Sequence, residues 1–295
     1  AAPLSADLHA HGVVDLVVCI PGLLGNLPLA AACRFSERGE PRYLIEDFRS
    51  LAITPSLDLL LNTVRPQRRR PRATAVLTED SLPPRATAAL DQIEAAWRGA
   101  SFTVRTLRAG GIGQEKASAA SLLQALSESD LVHVLCHGSF DPHAPEYSGI
   151  HLAGELLSIE RLMAFQCPSP AQVVTLAACR SGRTSAQDVA AEWLGISGAL
   201  LRAGVQSVVG ALWDVEVGAT LRLYQDFYAA YLSEAPDPAA ALAVAMRRQL
   251  AAGRQGEAGN PHPLTSATDG IEQQRLRRLC ASPLLWAGLS VLRSG

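Results

Sequence analysis

Four short, nearly unbroken apolar runs most constrain this chain: Ala73–Leu77 (ATAVL), Leu131–Cys136 (LVHVLC), Gln172–Ala178 (QVVTLAA) and Gln206–Leu212 (QSVVGAL). A strand that is apolar on both faces must be covered on both faces. Segments of helical spacing lie between the runs. Arg85–Trp97 repeats through Ala89, Ile93, Ala96 and Trp97; Ser118–Leu126 follows, and Ala186–Ala203 ends at Gly204. Strands alternating with helices in this way specify an α/β fold, with a mostly parallel central sheet flanked by helices. Phe102–Leu107 alternates as a further strand. Gly218–Leu232 and Pro238–Ala251 read as helices, and Leu284–Leu292 as a last strand.

The first seventy residues read differently. Val13–Ile20, Leu27–Phe35 and Tyr43–Asp47 have strand character and are joined by turns such as Pro21-Gly22 and Arg38-Gly39. Residues 1–70 are therefore expected to form an antiparallel β-rich extension of the same domain, beside an α/β core over residues 71–295. At 295 residues the chain is long enough for one large core. The Arg254–Gln274 stretch reads as a polar loop.

Charge and cysteine usage narrow the function. With 26 basic and 28 acidic side chains the net charge is −2, which argues against a nucleic-acid surface. The one basic run, Arg65–Arg72, is broken by prolines and reads as an exposed linker. The apolar stretch Val13–Ala32 is interrupted by Pro21, Gly22, Gly25 and Pro28, so no membrane span is expected. The six cysteines are scattered, with no CxxC pair. That fits a reducing cytoplasm in which each cysteine is judged alone.

Two strand ends carry candidate chemistry. One runs Leu131-Val-His-Val-Leu-Cys-His137-Gly138-Ser139, the other Val173-Val-Thr-Leu-Ala-Ala-Cys179-Arg-Ser-Gly182. In a parallel sheet the ligand crevice lies outside the carboxyl ends of the strands. One end delivers an imidazole and the other a thiol. A cysteine becomes a useful nucleophile when a neighbour favours its thiolate or takes its proton. Histidine does this near neutrality and can then protonate a leaving amine. If the two strands are neighbours, Cys179 is the nucleophile and His137 the base, and the Gly138 and Cys179 N–H groups are oxyanion donors. His133, four residues before His137, reads as a deeper core or supporting histidine. Cys136 points to the opposite face and reads as core. Ligand spacing matches no usual zinc pattern, and no metal or cofactor is expected. GxSxG, GxxxxGK[ST], GxGxxG and HExxH motifs are absent from the sequence.

At these residues the chain resembles the CHAT family of caspase-like peptidases. Leu27-Pro28-Leu29-Ala30-Ala31 resembles its early LPxxAL segment. Tyr43-Leu44-Ile45-Glu46-Asp47 and Thr54-Pro55-Ser56-Leu57 resemble its YLIE…PSL segment. Asp130 through His133 to His137-Gly138 resembles the histidine strand, and Leu176-Ala177-Ala178-Cys179-Arg180-Ser181-Gly182 the nucleophile motif. Ala203–Val208 with Ala211-Leu212-Trp213-Asp214-Val215, and Ser282–Gly288, resemble two later segments. The resemblance implies a caspase-like sandwich and a bacterial cysteine endopeptidase in signalling or defence. It also implies a protein substrate and an upstream sensor or activating partner.

Departures from the family pattern fall in one buried strand and at the expected pocket. Ala177 replaces a common Ser, Asp214 stands where Pro is frequent, and Val217 stands where an acidic residue often follows. Trp213, Asp214 and Glu216 are candidate substrate-binding residues. An acidic lining would favour Arg or Lys before the cut, and a surface acid is the alternative. Two other functional readings are a catalytically silent module of the same fold and a small-thioester hydrolase using the same dyad.

Overall fold

A computed structural model describes residues 7–20, 27–37, 40–62, 71–77, 84–110, 115–139, 147–165, 171–178, 195–212, 217–254 and 283–294. The strands among these are β1 (Asp15–Cys19), β2 (Cys33–Phe35), β3 (Pro41–Tyr43), β4 (Ser50–Thr54), β5 (Arg72–Leu77), β6 (Thr103–Arg108), β7 (Glu115–Lys116), β8 (Leu131–Ser139), β9 (Gly149–Leu152), β10 (Glu155–Ser158), β11 (Val173–Ala178), β12 (Ser207–Ala211) and β13 (Leu289–Arg293). One sheet runs in the order β1-β4-β13-β12-β11-β8-β5-β6-β7. Strands β12 through β7 are mutually parallel. β13 runs antiparallel to β12, and β4 and β1 are parallel to β13.

The apolar runs occupy the middle of this sheet. Residues 131–136 of β8 are all buried, as are residues 173–177 of β11 and every residue of β12. The helices cover both faces. Pro84–Gly99 links β5 to β6, and Ala119–Glu128 precedes β8, which lies on the other side of β5. Right-handed crossovers in opposite directions put these two helices on opposite faces. Val217–Ser233 joins the Pro84–Gly99 layer, where Tyr228 meets Trp97 edge-on at 5.2 Å. Residues 195–202 are helical. The Ala119 helix starts on a cap: Ser118 accepts from the Ser121 N–H, and the Ser121 hydroxyl reaches back to the Ser118 N–H.

The N-terminal region departs from the expected arrangement in extent. Its antiparallel part is a two-stranded sheet, β2 with β3. β1 and β4 instead join the main sheet in parallel, because Ser50–Thr54 is a buried strand that the sequence reading missed. The Leu27–Phe35 and Tyr43–Asp47 runs are each part strand and part 3-10 turn, over Leu29–Ala31 and Leu44–Glu46. The second turn is closed by Glu46, whose carboxylate accepts from the Tyr43 N–H at 2.8 Å. The expected last strand, Leu284–Leu292, is a short helix, Pro283–Trp286, followed by β13. Proline suits the first turn of a helix, where its missing N–H costs nothing. The helix read over Gly218–Leu232 runs from Val217 to Ser233. The helix expected over Ala186–Ala203 is described only from residue 195. The Arg254–Gln274 stretch lies outside the described residues apart from Arg254, which ends the Pro238–Arg254 helix.

Candidate active site

β8 does two jobs. Its first six residues sit in the main sheet between β5 and β11. Its last three, His137, Gly138 and Ser139, leave that sheet and pair antiparallel with β9, opposite His151, Ile150 and Gly149. β9 turns back on β10. His137 thus stands where the strand changes partners and is half-buried, with the exposed His151 directly across. Directly opposed residues of an antiparallel pair project to the same face.

β11 is the neighbour of β8 on its other side. The pair is parallel, with Thr175 opposite His133 and Ala178 opposite Cys136. Strand β11 ends at Ala178, and the next residue in the sequence is Cys179. Cys179, Trp213, Asp214 and Glu216 lie outside the described residues. Cys136 is buried. Among the described residues no helix is long and apolar enough to cross a membrane.

Beneath this edge lies a buried polar group that the sequence reading identified only in part. His133 is 1% exposed. Its Nδ1 lies 2.6 Å from the Thr175 hydroxyl, which lies 2.7 Å from the Tyr228 hydroxyl. The Tyr228 oxygen is also 3.5 Å from His133 Nδ1. Tyr224, one turn earlier on the same helix, donates to the Leu176 carbonyl of β11 at 2.7 Å and stacks edge-on against His133 at 5.3 Å. Burial pushes the His133 pKa down to about 3, so the imidazole is neutral, and the same burial raises the Tyr228 phenol. Neutral groups let the tyrosine proton go to Thr175 and the threonine proton to His133. Thr175 was legible only as a polar break in QVVTLAA. The tyrosines were legible as an i, i+4 pair on a helix.

The architecture is a caspase-like α/β sandwich. The CHAT domain family matches residues 1–294, and the chain belongs to that family. Among solved structures it is similar to the Arg-specific cysteine proteinase gingipain R, at TM-score 0.50 and 9% identity over 83% of this chain and 54% of that one. It is also similar to the Saccharomyces cerevisiae separase–securin complex, at TM-score 0.48 and 12% identity over 84% of this chain and 14% of that one. The chain therefore spans about half of gingipain R and a small part of separase. No curated protein matches it.

Proposed function

We propose that the chain is a cysteine endopeptidase that cuts a protein partner through a Cys179–His137 dyad. The carrying observation is the register of β8 and β11. Ala178 pairs with Cys136, and one residue further along each chain the sequence has Cys179 and His137. Neighbouring strands lie ~4.8 Å apart, a spacing from which a thiol and an imidazole can meet. The family fold supports the same reading, because the crevice of such a sheet lies outside these strand ends.

In this mechanism the Cys179 thiolate attacks the scissile carbonyl carbon, and the carbonyl oxygen becomes an oxyanion facing the Gly138 and Cys179 N–H groups. His137, having taken the thiol proton, gives it to the leaving amine as the C–N bond breaks. Water, deprotonated by His137, then hydrolyses the thioester and restores the thiol. Trp213, Asp214 and Glu216 line the pocket for the residue before the cut, with Asp214 pairing with an Arg or Lys side chain. A sensor region or partner switches the enzyme on, and it works in a bacterial cytoplasm in signalling or defence.

The test compares wild type with Cys179→Ala, each expressed with its native upstream region. The readouts are cleavage of a genetically neighbouring protein and labelling by a basic peptide electrophile. Both signals are expected to vanish in the variant. Equal behaviour of the two proteins under activating conditions supports the silent-module reading instead. Preference for Asp or an apolar residue before the cut removes the role given to Asp214.

A further inference from the structure

We infer that His133, Thr175 and Tyr228 form a buried clamp that fixes β8 against β11 and so sets the spacing of the dyad. This rests on the proposed assignment of Cys179 and His137. The three side chains come from three elements: the strand that carries His137, the strand that leads to Cys179, and the Val217–Ser233 helix. All three are at most 1% exposed. His133 lies four residues before His137, and Thr175 four before Cys179. The bridge thus joins directly opposed residues, each four positions before its member of the proposed dyad. Backbone pairing alone leaves a parallel pair of strands free to shear and splay by fractions of an ångström. A side-chain bond between directly opposed residues, backed by a second bond to a helix, resists that motion.

Burial argues that the network is under constraint. A hydroxyl, a phenol and an imidazole enclosed among Trp97, Tyr224 and Phe227 are costly unless each finds a partner. Each finds one here only in a single arrangement of three elements. An apolar trio would tolerate small shifts; this trio does not, because any displacement strands a buried polar group. Tyr224 adds a second tie from the same helix, to the Leu176 carbonyl. That helix begins at Val217, directly after the Trp213–Glu216 segment in the sequence. The clamp residues are positioning residues: they touch neither the scissile bond nor its substrate.

The test uses Thr175→Val, which keeps shape and removes the shared hydroxyl, with Tyr228→Phe as a second disruption and Thr175→Ser as the rescue. Each is measured on the full chain by circular dichroism, by the rate of iodoacetamide alkylation mapped to Cys179, and by kcat and KM on a cleaved peptide. Folded Thr175→Val and Tyr228→Phe are expected to lose about tenfold or more in kcat and in alkylation rate, with KM within about twofold, because sub-ångström misplacement of reacting groups costs that much. Thr175→Ser is expected to regain most of the loss. Rates within about twofold of wild type in either folded disruption overturn the clamp while leaving the dyad intact. If His137→Ala and Cys179→Ala also match wild type in cleavage, the dyad reading falls, and the clamp falls with it.

Discussion

A histidine that stays neutral near pH 7 to 5 in the folded protein leaves a signature in the pH dependence of stability. His133 titrates near 3 when folded and near 6.5 when unfolded, for the sole cause of burial. Between those values the unfolded chain binds a proton that the folded chain does not. The contribution is fully present above pH 6.5 and is lost as pH falls, by about 1.4 kcal/mol per unit. Urea denaturation should therefore show the stability gap between wild type and His133→Gln shrinking by about 2 kcal/mol from pH 7 to pH 5. A gap independent of pH would mean that His133 takes up its proton as readily in the folded protein as in the unfolded chain. At this scale the sequence was informative about what titrates and silent about what it touches. Residue type and strand position marked His133 as deep. Its partners Thr175 and Tyr228 are 42 and 95 residues away, and only the strand order brings them together.

At the level of elements, the β9–β10 hairpin bears on the candidate site because its first strand pairs with His137, Gly138 and Ser139. At its open end the hairpin packs tightly, where Gly149 lies opposite Ser158. A Cβ there would fall against the Leu157 carbonyl, 2.8 Å from its carbon and from the Ser158 Cα. Backbone atoms cannot swing aside as a side-chain tip can. Gly149→Ala is expected to push β9 from β10, costing about 1–3 kcal/mol in thermal denaturation. It should also lower Cys179-dependent cleavage by disturbing the strand opposite His137. An unchanged melting temperature would show that the hairpin absorbs a methyl at no cost. This hairpin was not legible in advance. Its strands are four residues each, and GIHL and ELLS carry too little alternation to stand out from loop. The long apolar runs stood out because each is buried on both faces. Leu284–Leu292 misled because a continuous apolar run does not reveal where a helical turn ends and a strand begins.

Across the whole molecule the terminal regions interlock. β13, near the end of the chain, sits between β4 and β12. The Pro238–Arg254 helix is tied to the N-terminal region by Arg247, which donates to the Ile45 and Phe48 carbonyls at 3.1 and 2.9 Å. Arg254 of the same helix pairs with Glu46; burial raises the Glu46 pKa, and the bonds from Arg254 and the Tyr43 N–H outweigh it and lower the pKa below its usual value. The sheet thus closes with first and last segments side by side, an arrangement that no local pattern announces. Amide hydrogen exchange should read this as one cooperative unit, with β4, β13, β12 and β11 opening together at the global free energy. β8 is the exception, because its two halves belong to different neighbours. Leu131–Cys136 is held on both sides inside the sheet, while His137–Ser139 is held by a short hairpin. The second half should exchange faster than the first, and equal protection along the strand would contradict this. In the proposed mechanism the base is thus mounted on a tether that frays before the core does. A peptidase built this way can be silent and fully folded at once, needing only a contact that quiets three residues to begin work.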